Sequence, residues 1–246
     1  MKVLICIDDT DNLESRGTGE LAENLAAEIQ GRKWGHCEFV TRHQLLVHPD
    51  IPYTSHNSSM CFAADIDEQN LPALVERAKA FLVEESAPGS DPGLAIAVLG
   101  RLSDETALID FGRRAKQVVL NKQNAYDLAA AHNIHLSEHG GTGHGVIGAL
   151  AGIGLRMSGN DGRIKGWFDI PNQDGVAKVA DIVDRFKLGG VRTMGGELLK
   201  KDALVTIGKK PKAVFLEGKP YLMVSPADET ASIRWQTSSR RELKQF

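Results

Sequence analysis

Lys2-Val3-Leu4-Ile5-Cys6-Ile7-Asp8-Asp9-Thr10-Asp11 is the stretch that decides how this chain folds. Five consecutive apolar residues, Val3 to Ile7, read as a short strand buried on both faces. Three carboxylates follow at once, in a loop that ends with Arg16-Gly17-Thr18-Gly19. A helix then opens near Gly19 and runs to about residue 30, with Leu21, Leu25, Ala26 and Ile29 on one face and Gly31 as its stop. Acidic side chains in the loop between a buried strand and a helix N-terminus occupy the position where α/β proteins commonly keep their chemistry. Like charges this close repel, so the loop calls for a positive partner, and a divalent cation carrying a nucleotide phosphate fits that need.

Working outward, the spacing predicts strands over Glu38–Thr41, Leu45–His48, Ser59–Ile66 and Leu94–Leu99, and a helix over Leu71–Glu85. Helices are expected over Thr106–Leu120 and Ala125–His132, broken near Asn121, and over Val146–Leu155 after the turn Gly140-Gly141-Thr142-Gly143-His144-Gly145. A strand over Ile164–Ile170 and a helix over Val176–Phe186 precede short strands at Ala203–Ile207, Lys212–Leu216 and Tyr221–Val224, with Glu217-Gly218 as a hairpin turn. The chain reads as α+β: a mixed-sheet body over residues 1–172, with a smaller, β-rich module over 173–246.

Composition bounds the function classes. The 246 residues are 42% apolar and 25% charged, with a net charge of −3, so no global basic footprint marks a nucleic-acid binder. Local basic groups do occur, at Arg113-Arg114-Lys116, Lys200-Lys201, Lys209-Lys210-Pro211-Lys212 and Arg240-Arg241. Such groups are solvated faces or binding grooves. No apolar run approaches the roughly 18 residues of a membrane span. Lys2 is followed by too short an apolar run for a signal peptide, so a cytoplasmic location is expected. Cys6, Cys37 and Cys61 form no CxxC pair and read as buried, reduced thiols.

Each candidate constellation carries two readings. Asp8, Asp9 and Asp11 coordinate Mg2+, or they form a turn and helix cap; three acids exceed what a cap needs. Gly17 and Gly19 let backbone N–H groups approach a phosphate at a helix N-terminus, or they simply start a helix. The turn Gly140–Gly145 cradles phosphate, with Thr142 or His144 donating, or its glycines and those at 148 and 152 allow close helix packing. It has neither the Lys-Ser/Thr of a P-loop nor a dinucleotide fingerprint. His132, His135, His139 and His144 lack the spacing of a zinc site, and a phosphate-facing or proton-carrying histidine is the better expectation. His48-Pro49-Asp50-Ile51-Pro52-Tyr53-Thr54-Ser55-His56-Asn57 is a stiff polar segment suited to positioning a ligand, or a surface connection.

The order IDDTD, HPDIPYTSHN, DPGLAIAV and GHGVIGALAGIG resembles the N-terminal region of archaeal agmatidine synthetase, over about residues 1–170. The resemblance implies a kinase-like domain that uses ATP and Mg2+, with a ferredoxin-like part here placed at about 59–110. It implies that Asp8, Asp9 and Asp11 form the acidic Mg2+/ATP loop. Asn57 falls in the segment corresponding to NPxIPxKTRGN, and Gly143 and Gly145 in a glycine turn near the nucleotide. The chain departs from the family at Gly17-Thr18-Gly19-Glu20, where a Cys-Thr-Thr is expected, and at Thr54-Ser55-His56, where a basic segment is expected. No counterpart of the family's OB domain or zinc ribbon is read in these residues, so tRNA as a partner follows from the resemblance alone.

The sequence-level expectation is an ATP/Mg2+-dependent phosphotransferase with an unidentified acceptor. Alternatives are a nucleotide-binding module without turnover, and a Mg2+-dependent phosphohydrolase with Asp9 as nucleophile. Asp8, Asp9 and Asp11 are the catalytic and metal candidates. Thr10, Arg16, Gly17, Thr18, Gly19, Asn57, Gly141, Thr142, Gly143, His144 and Gly145 are the nucleotide-binding candidates.

Overall fold

The structure is a computed structural model that describes residues 1–51 and 57–246. The chain divides into two compact units, Met1–Ser158 and Gly159–Phe246, a division that falls earlier than the boundary at 172 read from composition. Among the described residues, no helix is long and apolar enough to cross a membrane.

The first unit begins with β1 (Lys2–Asp8), α1 (Thr18–Gly31), β2 (Gly35–Cys37), β3 (Thr41–Gln44), β4 (Ser58–Ile66), α2 (Leu71–Glu85) and β5 (Gly93–Val98). It continues with α3 (Glu105–Arg114), α4 (Lys122–Ala131), β6 (His135–Glu138) and α5 (Gly145–Met157). β1 is central and antiparallel to both neighbours, with Cys6 opposite Cys61 on β4 and Ala95 on β5. β4 carries β2 and β3 along its other edge, and β6 pairs outside β5. The resulting order β5-β1-β4-β3 with two crossover helices is the ferredoxin-like βαββαβ arrangement. It occupies Lys2–Val98 rather than the 59–110 read from the sequence, because β1 and α1 supply its first half.

Strand alternation then assigns the two faces. Val3, Ile5 and Ile7 pack with Leu21, Leu25 and Ile29 of α1 and with Leu74, Ala78 and Phe81 of α2. Leu4 and Cys6 face the other way, into a layer with Cys61, Ala63, Ala95, Ala97 and the α5 residues Ala149, Leu150 and Ile153. Period two puts Asp8 on this second face, toward α5. Small residues meet small residues there. A Cβ on Gly152 would stand 2.3 Å from the Cys6 sulfur, and one on Gly154 1.9 Å from the Leu108 carbonyl oxygen. The glycine pattern of α5 therefore serves close helix packing, one of the two readings open from sequence.

Several boundaries differ from the sequence reading. The predicted helix 106–120 stops at Arg114, and the chain turns through Ala115–Gln117 toward Asn121. Asn121 caps α4 through a reciprocal pair with Asn124. The strands predicted at 38–41 and 45–48 fall at β2 and β3 instead. Arg156, near the end of α5, is buried; its Nη2 donates to Glu38 Oε2 at 2.8 Å, its Nη1 donates to Thr41 Oγ1 at 3.2 Å, and its guanidinium lies 4.5 Å from the Phe39 ring. The three cysteines are free and buried.

The second unit comprises β7 (Arg163–Ile164), β8 (Val176–Lys178), α6 (Val179–Phe186), β9 (Gly190–Thr193), β10 (Leu204–Thr206), β11 (Ala213–Leu216), β12 (Lys219–Pro226) and β13 (Trp235–Thr237). β12 is its hub, antiparallel to β11 and β13 and parallel to β9. Glu217-Gly218 forms the β11–β12 hairpin turn, with both residues at positive φ. The strand read over 164–170 is confined to β7, and the first residues of the predicted helix 176–186 are β8. Val191, Val205, Leu222 and Val224 form the core with Val179 and Ile182 of α6.

Candidate functional site

The C-terminal end of β1 opens into a cavity of about 290 Å3 within the first unit. Asp8, Asp9, Asp11, Thr18 and His144 line its polar end. Leu45, Ile51, Val118, Val119, Leu120 and Ile147 make an apolar wall, and Asp50, Asn57, Ser58 and Asn121 complete the rim. No lysine or arginine lines it among the described residues.

Asp8 is buried at the end of β1. Burial first, then the charges of Asp9 and Asp11, hold its carboxyl well above the usual carboxylate range, although a hydrogen bond from the Asp9 backbone works the other way. Its room is made by Gly148: a Cβ there would lie 1.7 Å from Asp8 Oδ2. Asp9 adopts φ +51°, a left-handed conformation that few non-glycine residues take but Asp tolerates. Its carboxyl is pushed up to about 6 by burial, then by the negative charges of Asp91 and Asp11. Asp11 Oδ1 accepts from the Thr18 hydroxyl at 2.9 Å, which ties the acidic loop to the first turn of α1. Thr10 is buried, and its hydroxyl has no hydrogen-bond partner among the described residues.

Asp91 was not singled out from the sequence, and it changes the reading of the glycine turn. Its carboxylate accepts from the backbone N–H and hydroxyl of Thr142, and from the backbone N–H of Gly143 at 3.1 Å. Burial raises the Asp91 pKa, but these bonds and one from the His144 backbone together carry it below the usual value. The turn is thus an anion-binding concavity already filled by a carboxylate of the same chain. Gly141 and Gly143 take φ +55° and +76°, and a Cβ on Gly141 would fall 1.8 Å from Asp91 Oδ1. The Thr142 hydroxyl, one of the two phosphate donors expected of this turn, and the N–H groups of Thr142 and Gly143 are engaged by Asp91 in this structure. What the turn presents to the cavity is His144 and Gly145 at the start of α5. His144 Nδ1 lies 2.5 Å from the Thr142 hydroxyl and 3.9 Å from Asp91 Oδ2.

Other candidates divide similarly. Thr18 reaches the cavity; Gly17 caps α1 without a side-chain bond, and Gly19 is buried in its first turn. Arg16 does not reach it. Its guanidinium is exposed and donates to Glu85 at 2.7 Å, with Glu20 at 3.9 Å. Asn57 lines the cavity and donates to the Leu46 carbonyl at 2.6 Å. Of the stiff segment 48–57, residues Pro52 to His56 lie outside the described residues. Arg42 Nε donates to the hydroxyl of Ser58, a residue that lines the cavity, at 3.0 Å. The histidines serve separate places: His132 meets Ser103, while His135 and His139 both meet the hydroxyl of Ser137, at 2.9 and 2.8 Å. Among the described residues, no group of three or more His, Cys, Asp or Glu side chains, Asp8, Asp9 and Asp11 included, is placed so that together they could hold a metal ion.

The Asp9 shift has a pH consequence of definite sign. Between the unfolded value near 4 and the folded value of about 6, the native state binds the extra proton. Stability of the metal-free protein therefore falls as pH rises through that window, by about 1–2 kcal/mol after allowance for the partial exposure of Asp9. Chemical denaturation at pH 4.5 and 7 measures it, and Asp9→Asn is expected to flatten the slope. An unchanged slope in that variant would assign the pH dependence to other groups.

By fold and site, the first unit is a ferredoxin-like α+β domain with an acid-ended, apolar-walled cavity beside a glycine-rich helix. No protein-family profile matches the chain. An uncharacterised protein of Methanocaldococcus jannaschii is 30% identical over 155 residues, which are 63% of this chain and 50% of that protein. Among solved structures, a tRNA fluorescent labelling enzyme is 27% identical with a TM-score of 0.55, and a TiaS–tRNA–ATP complex is 26% identical with a TM-score of 0.55. Each comparison covers 63% of this chain and 36% of the other. TiaS without ligand, a tRNA agmatidine synthetase, is 25% identical with a TM-score of 0.51. The chain thus spans half of the curated relative and about a third of the solved chains, and the likeness carried by its motifs is a structural likeness as well.

Proposed function

We propose that the cavity binds ATP together with Mg2+ and that the chain transfers a phosphoryl group to an acceptor held at the cavity mouth. The observation that carries this reading is that three clustered carboxylates, one of them buried, and a set of apolar side chains line the same cavity. Leu45, Ile51, Val118, Val119, Leu120 and Ile147 offer apolar surface for a flat base, and Asp8, Asp9 and Asp11 line the same cavity. The likeness to a structure solved with tRNA and ATP supports the choice of nucleotide.

The donor set fits a hard cation. Mg2+ binds through one or two carboxylates, with phosphate oxygens and water filling the remaining positions, so a complete protein cage is not required. Asp8 and Asp9, kept close by β1 and the Asp9 backbone, would hold it, with Asp11 behind them. When bound, the cation supplies the charge neutralisation that phosphoryl transfer demands. The chain's own residues then position: Thr18 at the start of α1 and His144 at the start of α5 meet the phosphate end, where two helix N-termini favour negative charge. A carboxylate of the loop that the cation leaves free would orient an acceptor hydroxyl or amine for attack. RNA, as in the structural relatives, and a small amine or alcohol are both acceptors to be tried.

Because no lysine or arginine lines the cavity among the described residues, ATP binding should depend on Mg2+ strictly. Calorimetric titration with ATP is expected to give measurable heat in Mg2+ and none in EDTA. Equal affinity in both conditions would overturn the metal assignment. Phosphate transfer or release in the presence of RNA or small-molecule acceptors separates the transferase from a module that binds without turnover.

A further inference from the structure

In the second unit, Trp167 is 58% exposed, unusual for the largest apolar side chain. It lies in a segment that runs antiparallel beside residues 209–214. Arg163 is paired with Val214, and the Phe168 N–H donates to the Pro211 carbonyl at 3.0 Å. The Lys212 ammonium donates to the Gly166 carbonyl at 2.8 Å, which fastens the two segments around the indole. The Lys210 ammonium sits 4.7 Å from the indole centroid. Residues 162–168 and 204–216 contribute Arg163, Lys165, Lys209, Lys210 and Lys212, and no acidic residue. Lys209 and Lys210 are exposed. Arg163 is buried, and burial first, then the Arg240 charge, lowers its pKa. Within a chain of net charge −3, basic residues predominate in these two segments, although the exposed Asp169 lies two residues beyond Trp167.

We infer that the Trp167 face, with Lys209 and Lys210, binds single-stranded nucleic acid. An exposed aromatic ring with ammonium groups beside it matches the two chemistries of such a strand, base faces that stack and phosphates that need cations. An acidic peptide would use the lysines but leave the indole without a partner. A duplex hides its base faces, so it would not use the ring. The surface is independent of the cavity in the first unit, and it stands or falls separately from the nucleotide reading.

The test uses the full chain and fluorescein-labelled ten-nucleotide oligouridylate and oligothymidylate, followed by anisotropy at several salt concentrations. Binding is expected to weaken with salt, and Trp167→Ala to lose about 10-fold in affinity, within the range of one stacked base. Trp167→Phe should recover most of the loss. Lys209→Glu/Lys210→Glu should reduce the salt slope by about 1.4, the value for two single-strand phosphate contacts. These side chains are exposed, so circular dichroism should report an intact fold in each variant. Equal affinity for the two oligomers, or preference for either, supports the surface and says which sugar it favours. The inference is overturned if the wild type binds neither oligomer, if Trp167→Ala binds as tightly as wild type, or if polyglutamate of equal charge competes as well as the oligonucleotide.

Discussion

Asp8→Asn is expected to remove Mg2+-dependent ATP binding, by about 100-fold or more, while raising the melting temperature of the ligand-free protein. The two effects share one cause. Asp8 is buried beside Asp9 and Asp11, with no lysine or arginine lining the cavity among the described residues, so its ionised form is costly until a cation arrives. Asparagine keeps the shape that Gly148 accommodates and removes the charge, so the fold gains where the site loses. Such a trade is expected where function maintains an unfavourable arrangement. Titration with ATP and Mg2+, paired with thermal denaturation with and without ligand, reads both quantities. Retained affinity would remove Asp8 from the site. A lowered melting temperature would show that Asp8 holds the fold through bonds that Asn cannot replace.

Gly148→Ala is the second large effect, and its sign runs against helix propensity. Alanine in a helix interior is favoured over glycine by about 1 kcal/mol. Here the added methyl carbon would fall 1.7 Å from Asp8 Oδ2, 2.6 Å from its Cγ and 3.0 Å from Leu45 Cδ1. Either the carboxylate turns out of its place or α5 moves off the sheet, and overpacking of this kind costs about 1–3 kcal/mol. The expected result is net destabilisation together with loss of nucleotide affinity. Gly31→Ala is the internal comparison. Gly31 ends α1 with nothing within 4 Å of the new carbon, and its φ is not positive. That substitution should be neutral or mildly stabilising. Denaturant titration of the two variants distinguishes a packing requirement at Gly148 from a general intolerance of changes in the glycines. Equal stability of the two would remove the packing argument.

Asp91 adds a condition to both results. By filling the turn at residues 141–144, it holds His144 and the start of α5 at the cavity, and its charge also raises the Asp9 pKa. The acidic loop and the glycine turn are therefore one assembly. The Asp91 N–H donates to the Asp9 carbonyl at 3.1 Å, and the Ala87 N–H donates to the Thr10 carbonyl at 2.9 Å. These backbone bonds fasten the loop after β1 to the segment that leads into β5.

The sequence alone determined the parts whose causes are local. Val3 to Ile7 could only be a buried strand, the spacing of Leu21, Leu25 and Ile29 required a helix, and three acids had to gather at the junction of the two. The close packing of α5 was legible in the same way, because small residues at 145, 148 and 152 recur on one helical face. Tertiary structure decided what depends on partners far along the chain. Asp91 meets Thr142 across 51 positions and Arg156 meets Glu38 across 118, and no local pattern marks either pair. The apolar wall joins Leu45, Ile51, Val118, Leu120 and Ile147 from separate segments. The ferredoxin-like strand order depends on which strands flank β1. Side-chain periodicity tells which face of an element is buried, but only packing selects what is buried against it, so the acids were legible in the sequence and the cavity around them was not.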